Sequence, residues 1–250
     1  LRHSLPMLTI FDLEAKVSAH EATDIPAEYV GLDRFVARKK IVAQLDADGQ
    51  LVEVKKHKLM VPRCARTGQV IEPMLTDQWF VAMSKPAADG KSITQKALDV
   101  VASGEIKFYP ENWVNTYNQW LNNIQDWCIS RQLWWGQRIP AWYNDKGDFV
   151  VARTEEEARL KFIEKAPQNQ DNPSIILRQE EDIVDTWFSS WLWPISVFDG
   201  FKDPGNKDIK YYYPTNDLVT APEILFFWVA RMIIAGYEYL HEKPFTNVYL

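Results

Sequence analysis

The chain has few of the residues that build disulfide frameworks and metal sites. Its 250 residues include two cysteines, Cys64 and Cys128, and four histidines that are scattered along the sequence. It has no Cys-x-x-Cys pair and no histidine cluster, which excludes a disulfide-stapled scaffold and a four-ligand zinc site made by this chain alone. It also lacks a nucleophile–base pair of the hydrolase type. These absences favour a cytoplasmic protein whose site works by positioning ligands.

Long hydrophobic runs and glycine-rich phosphate loops are also missing. The longest apolar run, residues 224–235, contains Arg231 and is too short to cross a bilayer, so we expect no membrane span. Neither a Walker sequence nor a Gly-x-Gly-x-x-Gly loop occurs. The net charge of −6 argues against binding nucleic acid through a global positive field. The basic run Lys55–Lys58 fits either a solvated face or a local RNA contact.

Tryptophan is abundant, with eleven residues, and four of them lie in residues 126–143. One interpretation of this block is a rigid recognition wall, because guanidinium groups stack on indole faces. The other is a buried domain seam, because the spacing resembles one face of a helix. Composition alone does not separate the two. The residues concerned are Trp127, Arg131, Trp134, Trp135 and Arg138.

A second aromatic segment, residues 182–194, follows two carboxylates. Asp185 precedes a short helix and is well suited to cap it. A cap with aromatic packing is one interpretation. In the other, the acid fixes a ligand ammonium group while Thr186 and Trp187 shape an apolar side-chain pocket beside it.

The last part of the chain has the clearest architectural pattern. A strand over 218–220, a helix over 224–237 and a strand over 245–250 predict a right-handed parallel β-α-β unit. Ligands bind beyond the carboxyl ends of such strands, so Thr220–Glu223 lies at an expected binding rim. Glu223 suits either the positive end of its helix or the hydroxyl groups of a ribose. Arg231 lies among apolar residues and is expected to have a partner.

The remaining pattern predicts alternating helices and strands. Capping and stop residues indicate helices from Asp33 to about Asp46 and from Ile93 to Ser103. Short strands are predicted at 51–54 and 59–62. Residues 113–132 read as one aromatic helix.

Four segments together, in order and spacing, resemble the valyl branch of the class I aminoacyl-tRNA synthetases. The 127–136 segment Trp-Cys-Ile-Ser-Arg-Gln-Leu-Trp-Trp-Gly and the 185–190 segment Asp-Thr-Trp-Phe-Ser-Ser carry most of it. Residues 61–80 and 213–232 supply the rest. The resemblance covers essentially the whole chain.

The resemblance implies an α/β fold: the second half of a class I Rossmann catalytic domain with the trailing part of a β-rich editing insertion. Residues 1–75 would be the end of that insertion and its return to the catalytic core. Residues 76–250 would be the second Rossmann half, with a small insertion at about 145–180. The two nucleotide-binding signatures of the family would lie before Leu1 and after Leu250, so an internal fragment is expected.

It also implies a function, in which the intact enzyme activates valine with ATP and Mg²⁺, transfers it to tRNA(Val) and edits mischarged threonine. Trp127, Asp185, Thr186 and Trp187 match the valine pocket. Glu223 matches the ATP ribose contact, although relatives usually show Gly-x-Asp where this chain has Ala221–Glu223. No catalytic residue is expected within the chain, which by itself should be inactive, while the intact enzyme is expected to be a cytoplasmic monomer.

A different class of protein fits the same residues. The tryptophan-rich block and the basic run also suit a non-catalytic module that binds RNA or a protein partner. A coding frame that continues into the two missing signatures would favour the enzyme.

We predict that the purified chain holds no zinc. Some relatives of the resembled family carry cysteine pairs near Cys64 and after Tyr143, but here only Cys64 remains, and a structural zinc site needs four ligands. Elemental analysis after dialysis should give at most about 0.1 zinc ions per chain. Stoichiometric zinc would contradict this.

Overall fold

The structure is a computed structural model that describes residues 3–6, 8–19, 24–65, 67–165 and 176–250. The chain divides into two compact units, Leu1–Asp77 and Gln78–Leu250. Helices and strands are interspersed along the chain, so the fold is mixed α/β. Within the described residues, no helix combines the length and apolar character needed to cross a membrane.

The Leu1–Asp77 unit is built around one helix, α1 (Arg34–Ala47). Asp33 caps it, because its carboxylate accepts hydrogen bonds from the Phe35 and Val36 amides. The predicted helix is therefore confirmed. Its only buried residue is Ala37, which packs with Val17 and Tyr29 in a small apolar cluster.

The strands predicted at 51–54 and 59–62 are wrong: neither segment pairs with another strand in the described part of the chain. Their apolar side chains do not pack against a sheet, and Val52 is 99% exposed. Elsewhere in this unit, β structure among the described residues is limited to isolated bridges such as Arg63–Val70. An alternation of apolar and polar residues predicts a strand correctly only where a partner strand satisfies the backbone hydrogen bonds.

The Gln78–Leu250 unit contains the other described elements. In chain order these are β1 (Phe80–Val81), α2 (Ile93–Ala102), β2 (Lys107–Tyr109), α3 (Trp113–Asn122), β3 (Trp127–Cys128), β4 (Ser130–Arg131), β5 (Ala141–Tyr143), β6 (Phe149–Val151), α4 (Glu155–Lys165), β7 (Arg178–Gln179), β8 (Ile183–Val184), α5 (Thr186–Ser190), α6 (Trp193–Ser196), α7 (Lys207–Tyr212), β9 (Thr215–Val219), a 3₁₀ turn (Pro222–Ile224), a π-helical turn (Leu225–Ala230), α8 (Arg231–Tyr239) and β10 (Phe245–Tyr249).

A three-stranded parallel sheet in the order β2-β10-β9 lies at the centre of this unit. β9, the helical segment 222–239 and β10 form the predicted β-α-β unit, and the parallel pairing of its two strands is confirmed. Phe108, Val248 and Leu218 stand side by side in the register and pack into the core with the helices. The next residues along the strands, Tyr109 and Tyr249, stack at 5.0 Å between ring centroids and are partly exposed.

The aromatic helix predicted over 113–132 is only half right. α3 ends at Asn122, and residues 127–131 are extended. β3 pairs antiparallel with β1, and β4 pairs antiparallel with β8. Strand pairing from two sides satisfies the backbone of this segment, and that tertiary constraint overrides a helix-like spacing of tryptophans.

A small second layer follows the tryptophan block. β6, β5 and β7 form an antiparallel sheet, and α4 packs on it through Ala158 and Phe162. Thr154 caps α4, with its hydroxyl accepting from the Glu157 amide at 3.2 Å. The insertion expected at about 145–180 includes residues 166–175, which lie outside the described residues.

Burial of α8 against the sheet predicts a large loss of stability for Ile233→Ala. Ile233 is completely buried, so removing three carbons leaves a cavity and should lower the free energy of unfolding by about 2–5 kcal/mol. Urea unfolding followed by circular dichroism measures this. The matched control is Ile176→Ala, at a side chain that is 77% exposed, and we expect a change within about 0.5 kcal/mol. Equal losses in the two variants would contradict the packing described.

Candidate functional site

Trp127 lies on the extended segment that crosses between two short sheets. The Ile129 amide donates to the Trp79 carbonyl at 2.8 Å, and the Asp185 amide donates to the Ile129 carbonyl at 2.7 Å. These bonds hold the segment on both sides. The Trp127 side chain is consequently buried, with its ring edge-to-face with Trp191 at 5.4 Å between centroids.

The Trp127 ring is covered by the guanidinium of Arg231, whose Cζ lies 3.6 Å from the ring centroid. The π-helical turn before Arg231 also brings the rings of Phe226 and Phe227 near its guanidinium, with their centroids 5.5 and 5.6 Å from Cζ. Burial lowers the pKa of Arg231 to about 10, while the nearby Asp185 carboxylate acts to raise it. The guanidinium therefore stays charged at neutral pH, and the partner expected for Arg231 is an aromatic cage.

Asp185 connects this cage to α5. One carboxylate oxygen accepts from the Trp187 amide at 2.7 Å, so the predicted helix cap is confirmed. The other oxygen forms an ion pair with Arg131. Arg131 also donates to the Cys128 and Ser130 carbonyls, at 3.0 and 2.8 Å. Both oxygens of Asp185 thus already have partners within the chain, so a ligand ammonium would have to share them.

The other two residues predicted for the pocket lie on α5. Trp187 is half-buried and stacks on Phe227 with centroids 5.8 Å apart. Thr186 is exposed at the start of the helix. Through Phe227 and Arg231, Trp187 belongs to the same aromatic group as Trp127, whereas Thr186 lies at its margin.

A cavity of about 300 Å³ lies beside Trp127. Of the four predicted pocket residues, only Trp127 is in its wall. Apolar side chains dominate the lining, and the charged groups there are Asp126 and Arg231. The lining residues are Met83, Trp120, Asn123, Ile124, Gln125, Asp126, Trp127, Cys128, Phe226, Ala230, Arg231 and Ile234.

The proposed tryptophan wall does not form one surface. Trp127 is buried, whereas Trp134 and Trp135 are 92% and 78% exposed. Gly136, with φ +151°, follows them where a Cβ would collide with the Ile183 side chain, so only glycine fits this turn. Arg138 donates to the Glu180 and Gln179 carbonyls. The block therefore divides into a core part and a surface part.

Sequence reasoning missed a polar network on the other side of the block. The Glu180 carboxylate accepts from Tyr143 at 2.7 Å and from Trp79 Nε1 at 3.1 Å. Burial acts to raise the Glu180 pKa, but these hydrogen bonds outweigh it and lower the pKa. Burial, together with Glu180, raises the pKa of Tyr143 to about 12. These partners lie far apart in sequence, so no local pattern reveals them.

Glu223 lies at the predicted rim, in the 3₁₀ turn that follows the carboxyl end of β9. Pro222 takes the first position of that turn, as expected from its missing amide hydrogen. The Glu223 side chain is exposed, and its carboxylate has no partner among the described residues. It lies at the edge where parallel sheets bind ligands.

Metal ligands are not grouped in the described part of the chain: no three His, Cys, Asp or Glu side chains come together there in a way that could hold an ion. Cys64 and Cys128 form no disulfide bond, and both are partly buried.

Fold and site together define an α/β protein with a parallel sheet, a polar residue at its carboxyl rim and an aromatic–arginine cluster beside a cavity. The sequence matches the family described as tRNA synthetases class I (I, L, M and V) over residues 9–250. The chain therefore belongs to the class I tRNA synthetases, and the resemblance inferred from its motifs is confirmed.

The chain is similar to curated valine–tRNA ligases. It is 58% identical to that of Dechloromonas aromatica, with 100% of this chain and 26% of the relative aligned. Identity is 51% with that of Laribacter hongkongensis, over 100% of this chain and 27% of the relative. It is 50% with that of Bacteroides fragilis, over 99% and 27%. The chain thus spans about a quarter of the length of these relatives.

Among solved structures, a LeuRS–tRNA–LeuAMS ternary complex from Agrobacterium radiobacter matches 50% of this chain and 19% of its own chain. Its identity is 15% and its TM-score 0.35.

The two bonds of Asp185 predict a graded response to substitution. Asp185→Asn loses the charge that pairs with Arg131 but keeps a side chain that caps helices well, whereas Asp185→Ala loses both. We expect the alanine variant to be less stable than the asparagine variant by about 1 kcal/mol. Denaturant unfolding of both variants measures the difference. Equal stability of the two would show that the cap contributes nothing.

Proposed function

We propose that this chain is part of a valine–tRNA ligase. The enzyme would activate valine with ATP to valyl-adenylate, transfer it to tRNA(Val) and edit mischarged threonine. The observation that carries the proposal is the 58% identity, along the whole chain, to the valine–tRNA ligase of Dechloromonas aromatica. Because 26% of that relative is aligned, the activity, the substrates and a monomeric, cytoplasmic state are proposed for the complete protein.

In this proposal the Gln78–Leu250 unit is the second half of the Rossmann catalytic domain, and residues 145–180 form a small insertion in it. The parallel β9-α8-β10 arrangement supports the first assignment, because Rossmann halves are built from such units. The Leu1–Asp77 unit would be the trailing part of the editing insertion and its return to the core. That assignment rests on the resemblance of residues 61–80.

The valine pocket would be bordered by Trp127, Asp185, Thr186 and Trp187. The cavity supports the place given to Trp127, because Trp127 lies in its wall and its apolar lining suits an aliphatic side chain. Asp185, Thr186 and Trp187 do not line it, and their place rests on the resemblance. Asp185 would act mainly by fixing α5 and Arg131 beside the pocket, since both its oxygens are engaged. Such a pocket separates valine from isoleucine or threonine by only about 1–3 kcal/mol, which is the physical reason for an editing step.

ATP would lie along the carboxyl rim of the sheet, with the ribose hydroxyls donating to Glu223. The unpartnered, exposed carboxylate at that edge supports this role over a purely electrostatic one. Mg²⁺ would accompany the ATP phosphates. No step is assigned to a metal ligand of this chain, because the described residues bring no three candidate ligands together.

The chemistry proposed for the complete enzyme joins the carboxylate of bound valine to the α-phosphate of ATP, which breaks the bond to the β-phosphate and releases pyrophosphate. No side chain of this chain would donate or accept a proton in that step. Its residues would contribute by holding valine and the ribose in a fixed relation, which removes the entropic cost of bringing two substrates together.

The test is the activity of the complete protein that contains this chain. We expect ATP–pyrophosphate exchange that depends on valine, with weaker exchange for threonine and isoleucine, and charging of tRNA(Val). Absence of valine-dependent exchange from a folded, full-length protein would overturn the proposal. RNA binding retained without exchange would instead favour the non-catalytic module, in which the exposed Trp134 and Trp135 would be the contact surface.

For Glu223 we predict a selective effect on ATP. Replacing it with alanine removes a charged hydrogen-bond acceptor, worth about 1.5–3 kcal/mol, so KM for ATP should rise roughly ten- to a hundredfold while KM for valine stays unchanged. Glu238→Ala, at an exposed glutamate on α8, is the matched control and should leave both constants unchanged. An equal rise of the two KM values would argue against a ribose contact.

A further inference from the structure

The orientation of the Trp127 ring is not fixed by a hydrogen bond. Its Nε1 is buried and has no partner among the described residues. Its ring contacts are an edge-to-face contact with Trp191 at 5.4 Å, a tilted contact with Phe188 at 5.8 Å and the Arg231 guanidinium at 3.6 Å. The guanidinium is the nearest of these groups, and it covers the face of the ring.

Arg231 lies in an apolar site, where the burial of a charged side chain is unfavourable. It is 6% exposed, and its Nη1 has no hydrogen-bond partner within the described residues. Leaving a guanidinium nitrogen without an acceptor in an apolar site costs free energy, so a purely structural position would favour methionine or leucine. What Arg231 gains is a cation–π contact with three rings, and the nearby Asp185 carboxylate, which favours its charged form.

Trp127 and Arg231 both line the cavity of about 300 Å³, and so do Phe226 and Ala230 from the π-helical turn. A π-helical turn is a rare conformation that recurs at functional sites. Here it precedes Arg231 directly in the chain, which places Phe226 and the guanidinium in the same wall. The indole, the guanidinium and Phe226 therefore form one continuous part of the cavity wall.

We propose that Arg231 is a positioning residue that clamps the Trp127 indole and so sets the shape of the valine pocket. This inference rests on the proposed function, in which Trp127 borders that pocket. In this proposal the arginine acts on valine through the indole that it covers. A planar guanidinium can lie flat on an indole over its whole area, whereas a lysine ammonium presents a single point of charge, so arginine is suited to this task and lysine replaces it only in part.

The test uses the full-length protein with Arg231→Met and Arg231→Lys. Methionine keeps much of the length and apolar contact but removes the charge, and lysine keeps the charge without the plane. We expect KM for valine to rise about tenfold in the methionine variant and less in the lysine variant, with KM for ATP unchanged. The preference for valine over the smaller 2-aminobutyrate should fall as well, because a mobile indole no longer defines the cavity.

The matched control is Arg178→Met. Arg178 also lies over an aromatic ring, with its Cζ 5.2 Å from the centre of Tyr143, and neither residue lines the cavity. This variant should leave both KM values and the amino-acid preference unchanged. Equal losses for valine and ATP in Arg231→Met would indicate a general structural role and overturn the proposal.

A second measurement reports the clamp without reference to activity. In protein labelled with 5-fluorotryptophan, the fluorine resonance of Trp127, identified by its loss in Trp127→Phe, should shift or broaden in Arg231→Met and stay in place in Arg178→Met. An unmoved resonance overturns the clamp, and a moved resonance with an unchanged KM for valine overturns its role in the pocket. A wild-type protein without valine-dependent exchange overturns the proposed function, while the fluorine spectrum still decides whether Arg231 holds the indole. Should Arg231→Met not fold, the lysine variant provides both measurements.

Discussion

The buried cation of Arg231, stacked on Trp127, is the interaction on which the rest of the candidate site depends. A guanidinium cannot enter an apolar core without compensation, and here three aromatic rings and a nearby carboxylate supply it. That requirement brings together a tryptophan from β3, two phenylalanines from a π-helical turn and an aspartate that caps α5. Elements distant in sequence therefore meet around one charge.

The extended segment 127–131 connects the Arg231–Trp127 contact to the surrounding strands and helices. Its backbone is bonded on one side to Trp79 and on the other to Asp185, so it links β1 to the start of α5. α8 begins at Arg231, and it packs in the same apolar core as the parallel sheet. The cavity beside Trp127 and the carboxyl rim of the sheet therefore lie on connected, well-packed elements, which suits ligands that must be held in a fixed relation.

How far the site could be predicted differs from residue to residue. Asp185 as a helix cap and Pro222 at the start of a turn follow from local chemistry, and both are found. The β-α-β unit follows from hydrophobic patterning and is also found. The helix expected to continue beyond Asn122, and the strands expected near Val52, are wrong, because the first segment found strand partners and the second found none.

By itself, the sequence determined the membership of the chain in the class I tRNA synthetases, the order of its main elements and the helix ends set by capping residues. These depend on motifs and on interactions within a few residues. Only the tertiary structure decided that Arg231 would pair with an indole, that Asp185 would engage Arg131, and that Trp134 would be exposed while Trp127 is buried. Those outcomes depend on which distant elements pack together, and the free energy of burying a charge or a ring is set by that packing.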